Sequence, residues 1–406
     1  MSEALYRNRK FAYHSQALAS CGLVDRDLFH KFYAGKELVH SLIVEEPFEG
    51  CLFVRDDRRQ RRALNRQART CLSFVGDNVA PEGGMAYIRW GANRNPADAL
   101  CERIGAELIC LRWQSKHPLT VPVRYVIQYI QTVFILLLRR PAMVIGQHTH
   151  PFCSLAALTY SKLTGRPFMT DCHNAPFVER IWNLPALNWL NRLVYRGAAV
   201  NAVHNEGILR LAKEDLKLPG MFTVLHCVIP PVPKVAPHSL PSPSVLVVCS
   251  YYSDEPIKAV LEAAAATPEI HYYMTGNVRR LDPAVRETAP RNVTFTGFLS
   301  TEEYDAYLLG ADAAMALSSR ENLLMAACHE AIGAGKPFIV TDGPVARSYL
   351  RRGAVFAEND ADAIAAGVRR AVASRAELAE EMRSLRRELD ELWWKQWQDV
   401  QRRLAR

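Results

Sequence analysis

The chain has 406 residues, of which 49% are hydrophobic and 23% charged, and its formal net charge is +8. This length suits two globular domains, and the composition excludes a disordered or fibrous protein. The 10 cysteines contain no CxxC pair, which argues against a zinc ribbon or a thioredoxin-type site. The N-terminus lacks the apolar core of a signal peptide, so we expect reduced thiols and a cytoplasmic protein.

The positive charge is concentrated in the first part of the chain. Residues 1–240 hold 30 Lys and Arg against 19 Asp and Glu, whereas residues 241–406 hold 20 against 23. Residues 1–70, which we predict to be a basic N-terminal extension, include seven arginines between Arg55 and Arg69. These arginines suit a solvated helix face, and the asymmetry between the halves favours an anionic partner. An anionic membrane or a lipid-linked diphosphate would fit, whereas we do not expect a nucleic-acid partner.

Short apolar runs alternate with helical stretches from residue 71 onwards. The predicted strands are 71–75, 85–89, 106–111, 142–148, 167–172, 198–203 and 223–228. Such alternation predicts a parallel sheet with helices on both faces. We therefore expect a Rossmann-like N-terminal domain over residues 71–231.

The most apolar stretch of this domain is Val121–Leu138. One arginine and two glutamines interrupt it, so the uninterrupted apolar part is shorter than the roughly 20 residues that a membrane span needs. We predict a helix buried inside the domain. The alternative is an amphipathic surface that contacts lipid, with Arg124, Arg139 and Arg140 near the headgroups.

Candidate ligand-binding residues flank the predicted strands of this domain. They are Gly83, Gly84, Arg94, His148, Asp171 and His173. Open parallel sheets bind ligands beyond the carboxyl ends of their strands, and glycines allow close backbone approach. Each of these residues can also be explained without a ligand, as part of a turn, as a surface charge or as a loop histidine whose hydrogen bonds are satisfied within the protein. His148 belongs to a His-x-His pattern, but no third ligand lies at useful spacing, so we expect no metal site.

A proline-rich segment divides the chain. Prolines crowd residues 232–244, which we predict to be an extended hinge because such a segment cannot continue a helix or a central strand. The alternation restarts in residues 245–380, with strands predicted at 245–249, 271–274, 293–296, 313–317, 338–341 and 354–357. Residues 381–406 are predicted to form a C-terminal helix. Trp393, Trp394 and Trp397 lie there at helical spacing, which indicates packing, with a membrane-interface belt as the alternative.

The most informative stretch is 292–342, which reads as strand, helix, strand, loop, helix, strand. Glu321 and Glu330 flank the start of its last helix, and Gly335-Lys336-Pro337 leads into its last strand. This arrangement resembles the nucleotide-sugar half of GT-B glycosyltransferases, particularly retaining glycosyltransferase family 4. The resemblance implies two doubly wound α/β Rossmann-like domains that face a central cleft.

The resemblance also implies roles for individual residues. Glu321 would contact the donor-sugar hydroxyls and Glu330 the ribose hydroxyls, because a carboxylate accepts two hydrogen bonds. The turn between them would offer N–H groups to the diphosphate. That turn contains Asn322, Leu323 and Met325, and further nucleotide contacts are expected from Thr275, Gly276 and Arg320, with Arg279 and Arg280 as alternative phosphate partners.

The resemblance assigns Glu321 of the second domain, with Asp171 and His173 of the first, to the catalytic centre. His173 would stabilise the donor sugar or the leaving phosphate. Arg94 would pair with an acceptor phosphate, and Gly83, Gly84 and His148 would line the acceptor cleft. The family generally needs no bound metal, so no cofactor is expected beyond a UDP-, GDP- or similar nucleotide-sugar donor.

The sequence departs from the family pattern in three ways, of which the first is that Asp254 and Glu255 follow the first strand of the second domain where a basic pair is usual. Eight residues separate Glu321 from Glu330 where seven are usual, and no glycine follows Glu321. The expected reaction is transfer of a hexose, with retention, to a lipid-linked or saccharide acceptor in polysaccharide or glycolipid assembly. The alternatives are a nucleotide-sugar epimerase and a degenerate protein that binds a nucleotide-sugar or a partner without turnover.

Overall fold

The computed structural model describes residues 83–91, 96–111, 113, 120–178 and 184–404. The predicted N-terminal extension, the strand at 71–75 and Arg94 lie outside these residues. Secondary-structure labels below number the described elements in chain order.

The first sheet has six parallel strands in the order β2-β1-β3-β4-β5-β6. Its strands are β1 (Met85–Trp90), β2 (Glu107–Leu111), β3 (Met143–His148), β4 (Phe168–Cys172), β5 (Val200–Val203) and β6 (Phe222–Val224). The helices are α1 (Pro96–Ile104), α2 (Thr120–Arg139), α3 (Pro151–Thr164), α4 (Ala175–Val178), α5 (Pro185–Gly197) and α6 (Glu206–Arg210). Every residue of β3, β4 and β5 is buried, as expected when helices cover both faces of a parallel sheet.

The second sheet repeats this architecture in the order β12-β11-β10-β7-β8-β9. Its strands are β7 (Ser244–Val247), β8 (His271–Thr275), β9 (Val293–Gly297), β10 (Ala313–Ala316), β11 (Phe338–Thr341) and β12 (Ala354–Ala357). The helices are α7 (Ile257–Ala266), α8 (Pro283–Glu287), α9 (Thr301–Gly310), α10 (Ala326–Ala334), α11 (Pro344–Tyr349), α12 (Ala361–Ala373) and α13 (Arg375–Leu404). The predicted pair of doubly wound domains is therefore confirmed.

Two stretches of chain connect the domains. Residues 225–243 run from β6 to β7 without a helix or a strand. The second connection is α13, which begins against the second domain with Met382 and Leu385 and continues into the core of the first with Trp393 and Trp397. Trp393 Nε1 donates to the backbone oxygen of His226 over 3.0 Å. The tryptophans therefore pack as predicted, and the surface they pack on is the first domain.

The prediction that Val121–Leu138 is buried is wrong for most of that helix. α2 is long and apolar enough to cross a membrane by length and composition, yet only 17% of its most apolar window is buried. The buried residues are Gln128, Thr132 and Leu136, which lie one turn apart on a single face. Hydropathy alone misjudged the helix because apolar residues occupy its outer face.

We expect Trp393→Ala to lower the free energy of unfolding by about 3–5 kcal/mol, because it leaves a cavity where a buried indole bridges the domains. Urea unfolding followed by far-UV circular dichroism measures this loss. Lys395→Ala, an exposed position on the same helix, serves as the control and should change stability by less than about 0.5 kcal/mol. A Trp393→Ala effect as small as that of the control would mean that α13 is not packed on the first domain.

Candidate functional site

A buried carboxylate lies at the carboxyl edge of the first sheet. Asp171, in β4, is 4% exposed and accepts a hydrogen bond from the Tyr87 hydroxyl on β1. His204 Nε2 lies 3.2 Å from Asp171 Oδ1, and His173 Nε2 lies 3.5 Å from Asp171 Oδ2. Gln147 on β3 places its side-chain amide 3.3 Å from His173 Nε2. Four neighbouring strands thus contribute to one polar cluster, which we call the Asp171 cluster.

His204 is held at both ring nitrogens. Its Nε2 faces Asp171, and its Nδ1 lies 3.2 Å from the backbone oxygen of Leu225. Burial alone would lower the pKa of His204, but Cys227 and Asp171 outweigh burial and raise this pKa well above its usual range. Two acceptors on opposite sides of one ring suit the doubly protonated imidazolium.

Asp171 is the complementary half of this ion pair. Burial would raise the pKa of its carboxyl group, but the neighbouring His204 and His173 hold that pKa well below its usual range. The cluster is therefore a charge-compensated ion pair in a site that water enters poorly, and His173 is its most exposed side chain. An N–H donor of that ring can stabilise negative charge that develops on a ligand.

In the second domain, the loop before α10 carries the predicted donor residues. The helix begins at Ala326, with Met325 as its N-cap residue. Asn322, Leu323 and Met325 therefore lie in the turn that precedes the helix. Glu321 is exposed in this loop. Asn322 adopts a left-handed backbone with φ 62°, a conformation that asparagine tolerates better than most residues.

Glu330 lies one turn inside α10 and is half-buried. Its Oε2 accepts a 2.6 Å hydrogen bond from the hydroxyl of Tyr304 on α9. Burial and the charge of Glu330 raise the pKa of Tyr304 well above its usual range, so the tyrosine stays a donor. The family usually has seven residues between its two acids. In this chain, the residue separated from Glu330 by seven others is Asn322, not Glu321.

The remaining predicted donor residues surround the loop after β7. Thr275 ends β8, and its hydroxyl lies 3.4 Å from the backbone nitrogen of Cys249. Gly276 has φ 99°, and any side chain there would clash with the backbone oxygen of Cys249. Arg320 lies 3.3 Å from Asp254, whose carboxylate also accepts a 2.7 Å hydrogen bond from Ser318. Arg320, with a half-exposed side chain, thus forms an ion pair with Asp254 beside this loop.

The two halves of the site meet directly. Asn205, which caps α6 of the first domain, donates from Nδ2 to the backbone oxygen of Asn322 over 3.1 Å. A side chain at Gly207 would clash with Asn322 Oδ1, so the loop before α10 rests on the start of α6. Nearby, the rings of His226 and Tyr349 lie 5.0 Å apart. The Asp171 cluster and the α10 loop therefore face one interdomain junction.

Three predicted cleft residues lie elsewhere. Gly83 and Gly84 precede β1, and Gly84 accepts a hydrogen bond from Ala142 at the start of β3. That is the amino edge of the sheet, opposite Asp171, which corrects their assignment to the acceptor cleft. His148 is fully buried, with its ring 4.8 Å from that of Tyr195, so a substrate does not reach it in this structure.

The Asp171 cluster also has the donor set of a metal site. One ligand atom from each of Asp171, His173 and His204 lies within 4.8 Å of the others. A cation would use His204 Nε2 while Nδ1–H donates to Leu225, a usual outer-shell arrangement. The same distances suit an imidazolium–carboxylate pair, so metal independence stays a prediction.

Comparison with known proteins defines the fold. Residues 234–388 match the family described as glycosyl transferases group 1. The structure resembles sucrose-phosphate synthase from Thermosynechococcus elongatus, with a TM-score of 0.60 and 16% identity over 85% of this chain and 93% of that one. It also resembles HepE of Anabaena in complex with UDP-glucose, with a TM-score of 0.57 and 11% identity over 78% of this chain and 99% of that one.

A glycosyltransferase from Rickettsia africae gives a TM-score of 0.50 and 12% identity over 85% of this chain and 94% of that one. No curated protein matches the chain in sequence. The chain has the GT-B glycosyltransferase fold. Its second domain carries the match to glycosyl transferases group 1, and membership of family 4 stays a prediction.

Sequence reasoning missed His204, Tyr87 and Gln147. His204 follows the buried strand β5 just as His173 follows β4, so the strand-end position was an available signal. Tyr87 and Gln147 lie inside strands, and only the sheet order brings them beside Asp171 and His173.

A buried histidine makes stability depend on pH. Burial lowers the pKa of His329 to about 3, with further lowering from His204 and His226. The folded protein therefore favours the neutral imidazole of His329. Its contribution to the free energy of unfolding is complete above pH 6.5 and is lost as the pH falls. Each pH unit below 6.5 should cost up to about 1.4 kcal/mol through this group.

We expect His329→Gln to lose stability less steeply than the wild type between pH 6.5 and 4.5. Urea midpoints at several pH values give the slopes. His271→Gln, at an exposed position in β8, is the control and should keep the wild-type slope. Equal slopes for wild type and His329→Gln would contradict a neutral buried His329.

Proposed function

We propose that this chain transfers a hexose from a nucleotide diphosphate sugar to an acceptor hydroxyl. The observation that carries the proposal is the hydrogen bond between the domains of a GT-B fold, in which Asn205, next to His204 of the Asp171 cluster, donates to Asn322 of the α10 loop. The match of the second domain to glycosyl transferases group 1 supports the reaction class.

The nucleotide is assigned to the second domain. Glu330 would accept hydrogen bonds from the ribose hydroxyls, with Tyr304 fixing its orientation by the 2.6 Å bond. The backbone N–H groups at the start of α10 would face the diphosphate, because a helix N-terminus carries unpaired donors and partial positive charge. UDP or GDP are the candidate leaving groups; HepE of Anabaena, of the same fold, was crystallised with UDP-glucose.

The sugar and its leaving phosphate are assigned to the Asp171 cluster. His173, the more exposed of the two rings, would hold a sugar hydroxyl or the departing phosphate, while the imidazolium of His204 would keep the Asp171 carboxylate charged and in place. Asp171 positions both rings. Retention of configuration follows from the family resemblance, and on that route the leaving diphosphate itself receives the acceptor proton. Catalysis would then come from positioning and charge stabilisation.

Asn322 is the better candidate than Glu321 for the donor-sugar contact. It stands at the usual seven-residue spacing from Glu330, and its backbone oxygen already binds Asn205 of the first domain. An amide both donates and accepts, so it can hold a sugar hydroxyl without a charge. The exposed Glu321 would lie at the rim of the site.

The acceptor is proposed to be a lipid-linked or saccharide hydroxyl, in polysaccharide or glycolipid assembly at the cytoplasmic face of a membrane. The basic first half of the chain supports an anionic acceptor. Nucleic acid is not proposed. A catalytically degenerate binder is the second candidate, because an amide stands where the family has an acid; a nucleotide-sugar epimerase would need no acceptor at all.

A nucleotide panel tests the donor site. Thermal shifts with UDP, GDP, ADP, TDP and their sugars should single out one base for the wild type, since a ligand at 100 times its Kd adds about 2.7 kcal/mol. Glu330→Gln should weaken that ligand by about 10- to 100-fold, because it loses a charged acceptor. Glu302→Gln, an exposed acid on α9, is the matched control. If Glu330→Gln and Glu302→Gln bind the nucleotide equally well, Glu330 does not contact it.

Activity with the identified donor tests the Asp171 cluster. Asp171→Asn should lower kcat by about 10²–10⁴-fold, because neither histidine keeps its charged partner. Dialysis against EDTA should leave wild-type activity unchanged, whereas loss that Mn²⁺ or Zn²⁺ restores would make the cluster a metal site.

The same assay separates the remaining alternatives. The anomeric proton coupling of the product reports configuration, and inversion would make His173 a general base instead. A protein that binds the nucleotide-sugar but forms no product would be the catalytically degenerate binder. Conversion of the donor sugar in the absence of an acceptor would instead indicate the epimerase.

A further inference from the structure

The polarity of α2 is reversed relative to an ordinary surface helix. Val123, Val126 and Ile130 are each more than half exposed, and they follow one another at helical spacing with Leu137 further along the same face. Val126 and Ile130 are each 58% exposed. A continuous apolar stripe, which we call the outer face of α2, thus points away from the domain.

The inner face of α2 carries hydrogen-bonding side chains. Thr132 accepts a 2.9 Å bond from Trp90 Nε1, and Gln128 donates to the backbone oxygen of Trp113 over 3.1 Å. Tyr129 and Thr159 of α3 are joined by a 2.8 Å hydrogen bond. These bonds fasten the middle of α2 to the first domain, so the helix is not available to span a bilayer. Its outer face is suited to lie on one.

The charge around the outer face is positive. α2 contains no acidic residue, and Arg124 lies near its start. At its other end, Arg140 and Lys162 are exposed, and Arg166 donates to the backbone oxygen of Pro141 over 2.7 Å. Glu107 lies 3.6 Å from Arg139. An apolar stripe with a basic end is the pattern of a helix at an anionic lipid surface.

The start of α2 lies at the edge of the sheet where the candidate site lies. The ring of Tyr125 is 5.0 Å from that of His150, which follows β3. Asp171 and His173 lie at the same carboxyl edge, at the end of β4, the neighbour of β3 in the sheet. From there the 20-residue helix extends about 30 Å towards the opposite edge. A surface that covers the outer face would therefore reach the rim of the site.

We propose that the outer face of α2 binds the interfacial region of an anionic lipid bilayer and holds the first domain against it. The apolar stripe enters the boundary between headgroups and acyl chains, while Arg140, Lys162 and Arg166 contact the anionic headgroups. This binding does not require the proposed transferase activity. If both hold, a lipid-linked acceptor reaches the site without leaving the bilayer.

The full chain tests the proposal in a vesicle cosedimentation assay. Vesicles of equal parts phosphatidylglycerol and phosphatidylcholine should bind the protein at 0.15 M NaCl, and vesicles of phosphatidylcholine alone should bind it at least tenfold less. Val126→Asp combined with Ile130→Asp should lower the partition coefficient by at least tenfold, because charges would then enter the apolar layer. A Lys162→Glu, Arg140→Glu pair should weaken binding and reduce its dependence on salt.

The matched control is Phe298→Asp, which changes the most exposed large apolar residue of the second domain, 86% exposed, and should leave binding unchanged. The aspartate variants should keep the wild-type thermal midpoint and nucleotide affinity, since both positions face outward. A milder Val126→Ser, Ile130→Ser pair covers the case in which the charged pair fails to fold.

Wild-type protein that ignores anionic vesicles, or aspartate variants that bind them equally well, would overturn the proposal. A fall in thermal midpoint or a change in oligomeric state without vesicle binding would also overturn it, by indicating that protein covers this face. If the protein binds vesicles but no nucleotide, the lipid-binding proposal is supported and the proposed transferase function is rejected.

Discussion

The candidate site depends on one buried charge. A carboxylate taken out of water is costly unless partners compensate it, and Asp171 finds them on elements that are far apart in sequence. Tyr87 comes from β1, and the two histidines follow β4 and β5. Because these partners must converge on one group, the ends of the strands are fixed relative to one another. The sheet thereby supplies a rigid base for groups that a ligand would contact.

The other half of the site is built from backbone rather than charge. The loop before α10 has a left-handed residue at Asn322, and it rests on the capped start of α6. The α10 loop is held by a backbone contact between the domains, whereas the Asp171 cluster is held by an ion pair within the first domain. A ligand in the junction would therefore touch groups that both domains position.

Much of the fold could be read from the sequence because each strand is a short apolar run between helices. Asp171 and His173 were predicted for the same reason, since they end a buried strand. Tyr87 was not, because its contact with Asp171 depends on β1 lying two strands from β4 in the sheet. The exposure of the apolar face of α2 could not be predicted either, because the sequence of an apolar helix does not show whether its apolar side chains are covered by the same protein or by another surface. Glu321 was chosen by residue type, whereas backbone position favours Asn322.

The path of α13 bears on how the two domains can move. The proline-rich segment alone would leave them joined by a single tether, free to swing and twist in any direction. α13 crosses between them a second time, with Met382 packed in one core and Trp393 in the other, and Gln396 clasping His226 where the tether begins. Two crossings close together define an axis. Any opening of the junction that keeps both crossings intact would then be a rotation about that axis.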